Sequence, residues 1–312
     1  MRKESIIIVA AAIILLPLSC KKDETTETKP SLTGIKISSA PAYVAKDQSV
    51  SLTIDVSGVA SSSSDKTPGT MGLYYRVNSG DQLTITEDIS GKSKYEVTVP
   101  VSELGSYTVL CCVYDIAEEF YSASATATFK AIDPSESMSG DLPSKQSGEK
   151  YAQFVSGGLT WMAENLYETS SGQSYDDCPV MDSIFGRYYS HEEALTACPS
   201  GWRLPTAAEF DALGSDAGAL MANASFLSSE FWPYNTKVNV TNATGFSALA
   251  VGYIDNAKID ALVTGEHEYA MFWTADTDGS KASFRYLFAT DPAVGKGEGS
   301  PKSLALSVRC VK

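Results

Sequence analysis

Two histidines, His191 and His267, are all that the 312 residues offer for moving a proton near neutral pH. His191 follows Ser190 at the start of a capped helix, where a solvated polar side chain is ordinary. His267 stands between Glu266 and Glu268 in an expected loop, which would make a weak metal site and more commonly makes a charged tip. Asp276-Thr277-Asp278-Gly279 supplies two carboxylates and a turn. It lacks the further oxygen ligands and terminal glutamate of a calcium loop, so it reads as a surface turn. No Gly-Xaa-Ser-Xaa-Gly elbow, phosphate loop or zinc motif occurs. The chain therefore reads as non-enzymatic, with no cofactor and no metal.

Binding chemistry has a better candidate in Phe231-Trp232-Pro233-Tyr234-Asn235. Aromatic faces beside an amide suit stacking on a sugar or burying a partner side chain. Trp232, Tyr234 and Asn235, with His267, form the candidate ligand surface. Phe231 and Trp232 fit an interior position equally well.

Six cysteines are present: Cys20, Cys111, Cys112, Cys178, Cys198 and Cys310. Cys111 and Cys112 are neighbours on an expected strand and point to opposite faces, so a bond between them is strained. They read as buried thiols. Cys178 has no obvious partner and reads as an unpaired buried thiol.

The elements that must carry these residues begin with an address. Arg2 and Lys3 precede an apolar run from Ile6 to Leu16, then Pro17-Leu18-Ser19-Cys20. The run is short of the roughly 20 apolar residues a spanning helix needs, so residues 1–19 read as a signal peptide. Cys20 after Ser19 resembles the lipobox of bacterial lipoproteins, which implies lipidation of Cys20; Pro17 departs from the usual aliphatic residue there. Lys22-Asp23-Glu24 is similar to the signal that sends Bacteroidetes lipoproteins to the outer surface. The resemblance implies an outer-membrane protein, anchored in the membrane through its N-terminal lipid and facing the exterior, with residues 20–33 as a polar tether. The net charge of −14 becomes −15 without residues 1–19, which carry two positive charges and one negative. Such a chain repels nucleic acid.

Between the tether and a Ser/Gly/Pro-rich stretch at 134–149, read as a linker, the apolar period is two. Val50, Leu52, Ile54 and Val56 alternate with Ser51, Thr53 and Asp55; Tyr95, Val97 and Val99 alternate with Glu96 and Thr98. Leu73, Tyr75 and Val77 lead through Asn78-Ser79-Gly80-Asp81 into Leu83 and Ile85, a hairpin. With strands around Tyr107–Val113 and Ala125–Phe129, residues 34–133 read as an all-β sandwich resembling immunoglobulin-like domains, without their tryptophan or inter-sheet cysteine pair. After Lys150 the signals change. Ser190 with Glu193 and Thr206 with Glu209 are two capping boxes, each opening a short helix. Ala194, Leu195 and Cys198 would face the core from the first. Strands return around Phe246–Tyr253, Ala270–Thr274, Phe284–Phe288 and Leu304–Val311, an α+β order.

Five motifs occur in sequence: Thr160-Trp161-Met162-Ala163-Glu164-Asn165-Leu166, Gly186-Arg187-Tyr188-Tyr189, Cys198-Pro199-Ser200-Gly201-Trp202-Arg203-Leu204-Pro205, Gly245-Phe246-Ser247-Ala248-Leu249 and Ser307-Val308-Arg309-Cys310-Val311. Together they resemble the Fibrobacter succinogenes major paralogous domain over residues 150–312. That family is similar to C-type lectins, which implies an α+β lectin-like domain closed by a Cys198–Cys310 disulfide, with Trp161 and Trp202 in the core. The Glu-Pro-Asn and Trp-Asn-Asp runs of calcium-dependent lectins are missing. Formylglycine-generating enzymes share a related fold, but their paired active-site cysteines have no counterpart once Cys310 is committed to Cys198. The expectation is a lipid-anchored surface protein with a lectin-like head for a glycan or a surface protein, its ligand face on the loops at roughly 214–268. The rivals are an accessory or tip subunit of a surface fibre or outer-membrane assembly, and a degenerate enzyme of the formylglycine type.

Overall fold

The computed structural model describes residues 32–58, 60–61, 71–85, 87–115, 120–121, 124–258 and 261–312. Residues 1–19, Cys20 and most of the tether lie outside them. The chain divides into two units: Met1–Ala40 with Ser49–Pro100 and Ser106–Thr128, and Pro41–Gln48 with Val101–Gly105 and Phe129–Lys312. Among the described residues, no helix is long and apolar enough to cross a membrane.

The first unit is built of strands whose alternation is visible in burial. Lys36–Ser39, Gln48–Asp55 and Lys94–Val101 form one sheet, and Val50, Leu52, Ile54, Val97 and Val99 are its buried residues. In the other sheet Gly105–Asp115 lies between Met71–Val77 and Ala125–Ile132, with Gln82–Ile85 beyond Met71–Val77. The expected hairpin is present in the register Leu73↔Ile85 to Arg76↔Gln82, with Asn78 at φ 53 in its turn. One faced sheet against another makes a β-sandwich.

The Gly105–Asp115 strand departs from simple alternation. Leu110 and Cys112 are buried as well as Val109, Cys111 and Val113. Tyr74 and Tyr114 account for this by covering the second face, their rings 6.0 Å apart, and the Tyr114 ring lies over Gly72, where a Cβ would come within 2.5 Å of it. Cys111 is a free buried thiol, and burial pushes its pKa up to about 12, which leaves it inert at neutral pH. Cys112 is buried too but is not a free thiol, a correction to the reading of both as thiols.

The second unit is rich in strands, and its helices are short. Its largest sheet has the order Val263–Glu266, Val251–Asp255, Tyr269–Thr277, Ala282–Phe288, Gly295–Gly299. Helices α1 (Asp182–Phe185), α2 (His191–Ala197), α3 (Ala207–Asp211) and α4 (Ala217–Leu220) are single turns or little more. Both capping boxes form: Ser190 with Glu193 opens α2, and Thr206 with Glu209 opens α3. The apolar face of α2 differs from expectation, since Ala194 and Ala197 are buried while Leu195 is 49% exposed. Its place in the core goes to His191, which is 2% exposed and has Nε2 2.9 Å from the Thr274 carbonyl. His191 is thus a core residue and not a solvated one.

The chain end runs beside the start of this unit. Thr160 and Lys312 exchange two backbone hydrogen bonds of 2.9 Å, Met162 N donates to Cys310 O and Leu166 N to Val308 O. Arg203 pairs with Val311 on the other side, and the Cys198–Cys310 disulfide, implied by the resemblance, is formed, with Cys198 at the C-cap of α2. Beneath these strands Trp161, Phe210, Phe246 and Phe272 pack edge to face or tilted, at 5.1–6.2 Å between ring centroids. Trp161 is core, as expected. Trp202 is only half-buried, with the Lys312 ammonium 4.4 Å above its ring, a correction to its core placement.

Two tests arise here. Gly252 has φ +70, and a Cβ there would meet Thr264 O at 2.4 Å. Gly252→Ala therefore costs more than the roughly 1–2 kcal/mol of a left-handed non-glycine residue, read as a lower urea midpoint. Asp211 accepts from Arg285 at 2.6 and 3.1 Å and from Lys296 at 2.7 Å. Those bonds, Arg285 first, hold its carboxyl down at about 2. Because the folded value is depressed, this stabilisation is complete above the unfolded value of roughly 4 and is lost as pH falls through it towards the folded value. Asp211→Asn flattens that part of a stability profile measured between neutral and acid pH; an unchanged acid limb refutes the assignment.

Candidate ligand pocket

The expected ligand surface is not assembled as one site. Trp232 is 3% exposed and donates Nε1–H to the Ala248 carbonyl at 3.1 Å, so its indole is core and its role as a stacking platform is corrected. Phe231 is buried against Phe185. The alternation of two buried rings with Pro233 and Tyr234 follows from the turn that carries them outward: Tyr234 is 56% exposed and Asn235 half-buried. His267 sits in the turn that joins Val263–Glu266 to Tyr269–Thr277, two strands that flank Val251–Asp255, with φ 65 and Nε2 4.0 Å from Glu266 Oε1. No hydrogen bond, ion pair or ring contact among the described residues joins Tyr234, Asn235 and His267. The 214–268 region is also less loop-like than expected, since it holds α4 and strands Ala224–Phe226, Ser229–Glu230, Val251–Asp255 and Val263–Glu266. Asp276 and Asp278 are spent on backbone, with Asp276 accepting from Ala207 N at 2.5 Å and Asp278 from Lys281 N at 2.6 Å. No group of three or more His, Cys, Asp or Glu among the described residues could hold a metal.

A cavity of about 200 Å³ lies elsewhere, over residues that carried the motifs. Its floor is Arg309, Asn165 and Ser247, respectively 1%, 5% and 3% exposed. Arg309 comes from the last motif, between Val308 and Cys310, which are both fully buried. That placement forces the guanidinium inward. There it donates from Nε to Asn165 Oδ1 at 2.8 Å, from Nη1 to the carbonyls of Phe246 at 2.6 Å and Met162 at 3.2 Å, and from Nη2 to the Ser247 carbonyl at 3.0 Å. Phe246 and Phe272 offer ring faces 4.6 and 5.5 Å from its central carbon. Asn165 is locked in turn, donating Nδ2 to the Phe185 carbonyl at 2.7 Å. One buried arginine thus links the first, fourth and fifth motifs.

Burial works against the charge of Arg309 and lowers its pKa, with the Glu164 carboxylate pulling the other way. Glu164 lines the pocket too, but its oxygens are engaged by Lys145 Nζ at 3.1 Å and Ala152 N at 2.7 Å. The walls are apolar: Met138, Leu142, Ile184 and Leu249, with the exposed Ser183 on the rim. Met138 and Leu142 belong to the stretch expected to be a linker. Met138–Gly140 instead pairs as a strand with Ala224–Phe226, which holds that wall in place. No sequence signal marked these wall residues, whereas a lone arginine inside the apolar run Val308–Val311 is a legible sign of a buried cation.

A strand-rich unit, closed by a disulfide, with its first and last motifs paired over a buried arginine, defines the class of protein. The chain belongs to the Fibrobacter succinogenes major domain family, which it matches over residues 155–312. No curated protein matches it. Among solved structures, the PKD domain of an M14-like peptidase from a Thermoplasmatales archaeon is similar at 11% identity and a TM-score of 0.27, covering 34% of this chain and 98% of that one. The CARDB domain of a Pyrococcus furiosus protein, solved with di-metal ions, has 15% identity and a TM-score of 0.23, covering 35% and 95%. A superoxide reductase (neelaredoxin) from Ignicoccus hospitalis has 15% identity and a TM-score of 0.22, covering 32% and 82%.

Proposed function

We propose that this chain is a non-catalytic surface binding protein, lipidated at Cys20 and exported to the outer membrane of a Bacteroidetes-type cell. In this reading the immunoglobulin-like sandwich is a spacer and the C-type lectin-like unit is the head that takes a glycan or protein ligand. The Arg309 pocket carries the reading: it combines apolar walls with a few convergent polar groups fixed in advance by core hydrogen bonds, the usual constitution of a ligand site. Full-length protein in detergent should bind on glycan or matrix-protein arrays, and Ser183→Trp, which plugs the rim, should remove the signal. Silence on every surface, or signals indifferent to Ser183→Trp, would sink it. Cys20→Ala should release the protein from membranes, and protease shaving of whole cells should cleave it.

One observation favours assembly as a second reading. Gly295–Gly299 ends its sheet, pairing only with Ala282–Phe288 among the described residues, so its outer edge is open to another strand. A stable stoichiometric partner recovered from native membranes would support it, and a free monomer would oppose it.

A further inference from the structure

We infer that the Arg309 pocket takes a small organic carboxylate with an apolar body. This narrows the binding reading above and rests on it. Arginine has five N–H donors, and four of those on Arg309 meet acceptors: Asn165 Oδ1 and the Met162, Phe246 and Ser247 carbonyls. The remaining Nη2–H has no acceptor among the described residues, and the guanidinium, 1% exposed, forms no ion pair there. Its four partners are neutral, so the positive charge is solvated by dipoles and ring faces while lying at the wall of a cavity. An anion entering that cavity gains a charge-assisted hydrogen bond in a site of low dielectric.

The other polar side chains at the pocket restrict the ligand further. Glu164 does not repel an anion as a bare carboxylate would, because Lys145 and the Ala152 N–H hold its two oxygens. Ser247 Oγ is taken by Asn242 and Ser135 Oγ by Asp133. Asn165 spends both ends of its amide on Arg309 and Phe185. Asp182, next in sequence to Ser183, pairs through Oδ2 with Arg187 at 2.5 Å, while its buried Oδ1 has no partner among the described residues. What remains for a ligand is the Arg309 Nη2–H and the Ser183 hydroxyl at the rim, both able to donate. Met138, Leu142, Ile184 and Leu249 meet the rest of the ligand with hydrocarbon. A sugar acid would leave a ring of hydroxyls without partners against those walls. The volume of about 200 Å³ is below the roughly 300–1,000 Å³ of sites for drug-sized ligands. It suits a branched or cyclic acid of a few carbons.

The test is calorimetric titration of the full chain in detergent with 4-methylpentanoate, its neutral amide 4-methylpentanamide, glucuronate and glucose. The acid is expected to bind at least tenfold more tightly than the amide and than glucuronate, with Ser183→Trp abolishing the heat. Arg309→Gln should erase the acid-over-amide preference; should that variant not fold, the acid and amide comparison with Ser183→Trp decides alone. Equal binding of acid and amide overturns the inference, as does binding of glucuronate or glucose in preference to the acid, and either result leaves the binding reading standing. No heat from any of the four overturns it as well, and array signals that Ser183→Trp removes would then keep the broader reading alive. Loss of both discards the pocket as a ligand site.

Discussion

Replacing Cys198 and Cys310 together with alanine should destabilise the Phe129–Lys312 portion of the chain by about 3–5 kcal/mol. The bond joins residues separated by 112 positions. In the chain-entropy account, opening a loop of that length restores to the unfolded chain freedom worth roughly 4–5 kcal/mol. Cys310 is fully buried, so removing its sulfur adds a small packing loss. Its position makes the effect larger than that of a peripheral bridge: Met162 N bonds to Cys310 O, and Val308 and Lys312 pair on either side with Leu166 and Thr160. Releasing the end strand exposes the edge of the first motif as well. Calorimetry should show the transition of this unit falling by roughly 10 °C, and wild-type protein under reductant should reproduce it. A loss under about 1 kcal/mol would mean that the strand pairings fix the chain end unaided and that the disulfide stabilises little beyond them.

That closure was the most legible part of the chain, and the reason is chemical. Cysteines, tryptophans and capping boxes act through residue type at fixed spacing, so Ser190–Glu193, Thr206–Glu209 and the Cys198–Cys310 pair could be read directly or through the resemblance. Alternating strands of the sandwich were legible because one face is buried. The Leu110 and Cys112 face was not, because what buries it is Tyr74 and Tyr114, a cross-strand arrangement that periodicity does not contain. His191, expected to be solvated, and Trp232, for which a ligand surface and an interior position were both open, are buried for the same reason. Each is an amphipathic ring whose polar nitrogen finds a backbone carbonyl, Ala248 for Trp232 and Thr274 for His191, and a satisfied nitrogen makes burial inexpensive. The pocket escaped notice because it has contributors from 134–143, 163–165, 183–184, 247–249 and Arg309. Only the tertiary fold brings them together.

Arg309 is where stability and binding can be separated by measurement. Arg309→Ala strands three backbone carbonyls and the Asn165 amide oxygen in the interior and opens a void beside Phe246 and Phe272. The expected cost is about 4–5 kcal/mol, from unsatisfied acceptors at ~1–3 kcal/mol each, offset by relief of the buried charge. Arg309→Met should cost less, about 2–3 kcal/mol, since the thioether fills the space and makes favourable contact with both rings, yet the same acceptors stay unmet. The coupling between Arg309→Met and Asn165→Ala, measured as a double-mutant cycle in urea, should be about 1–2 kcal/mol because the two side chains share a hydrogen bond. If instead Arg309→Met folds as stably as wild type, the guanidinium is not retained for the fold. Buried ionic groups are often replaceable by apolar ones at no cost, and a cation kept in that circumstance must act on something outside the chain. A stable Met variant that has lost carboxylate binding would therefore assign Arg309 to the ligand alone. A destabilised variant that, where folded, has lost binding as well assigns it to both, which is the outcome expected from a pocket-lining side chain with four donors held by the core and one without an acceptor among the described residues.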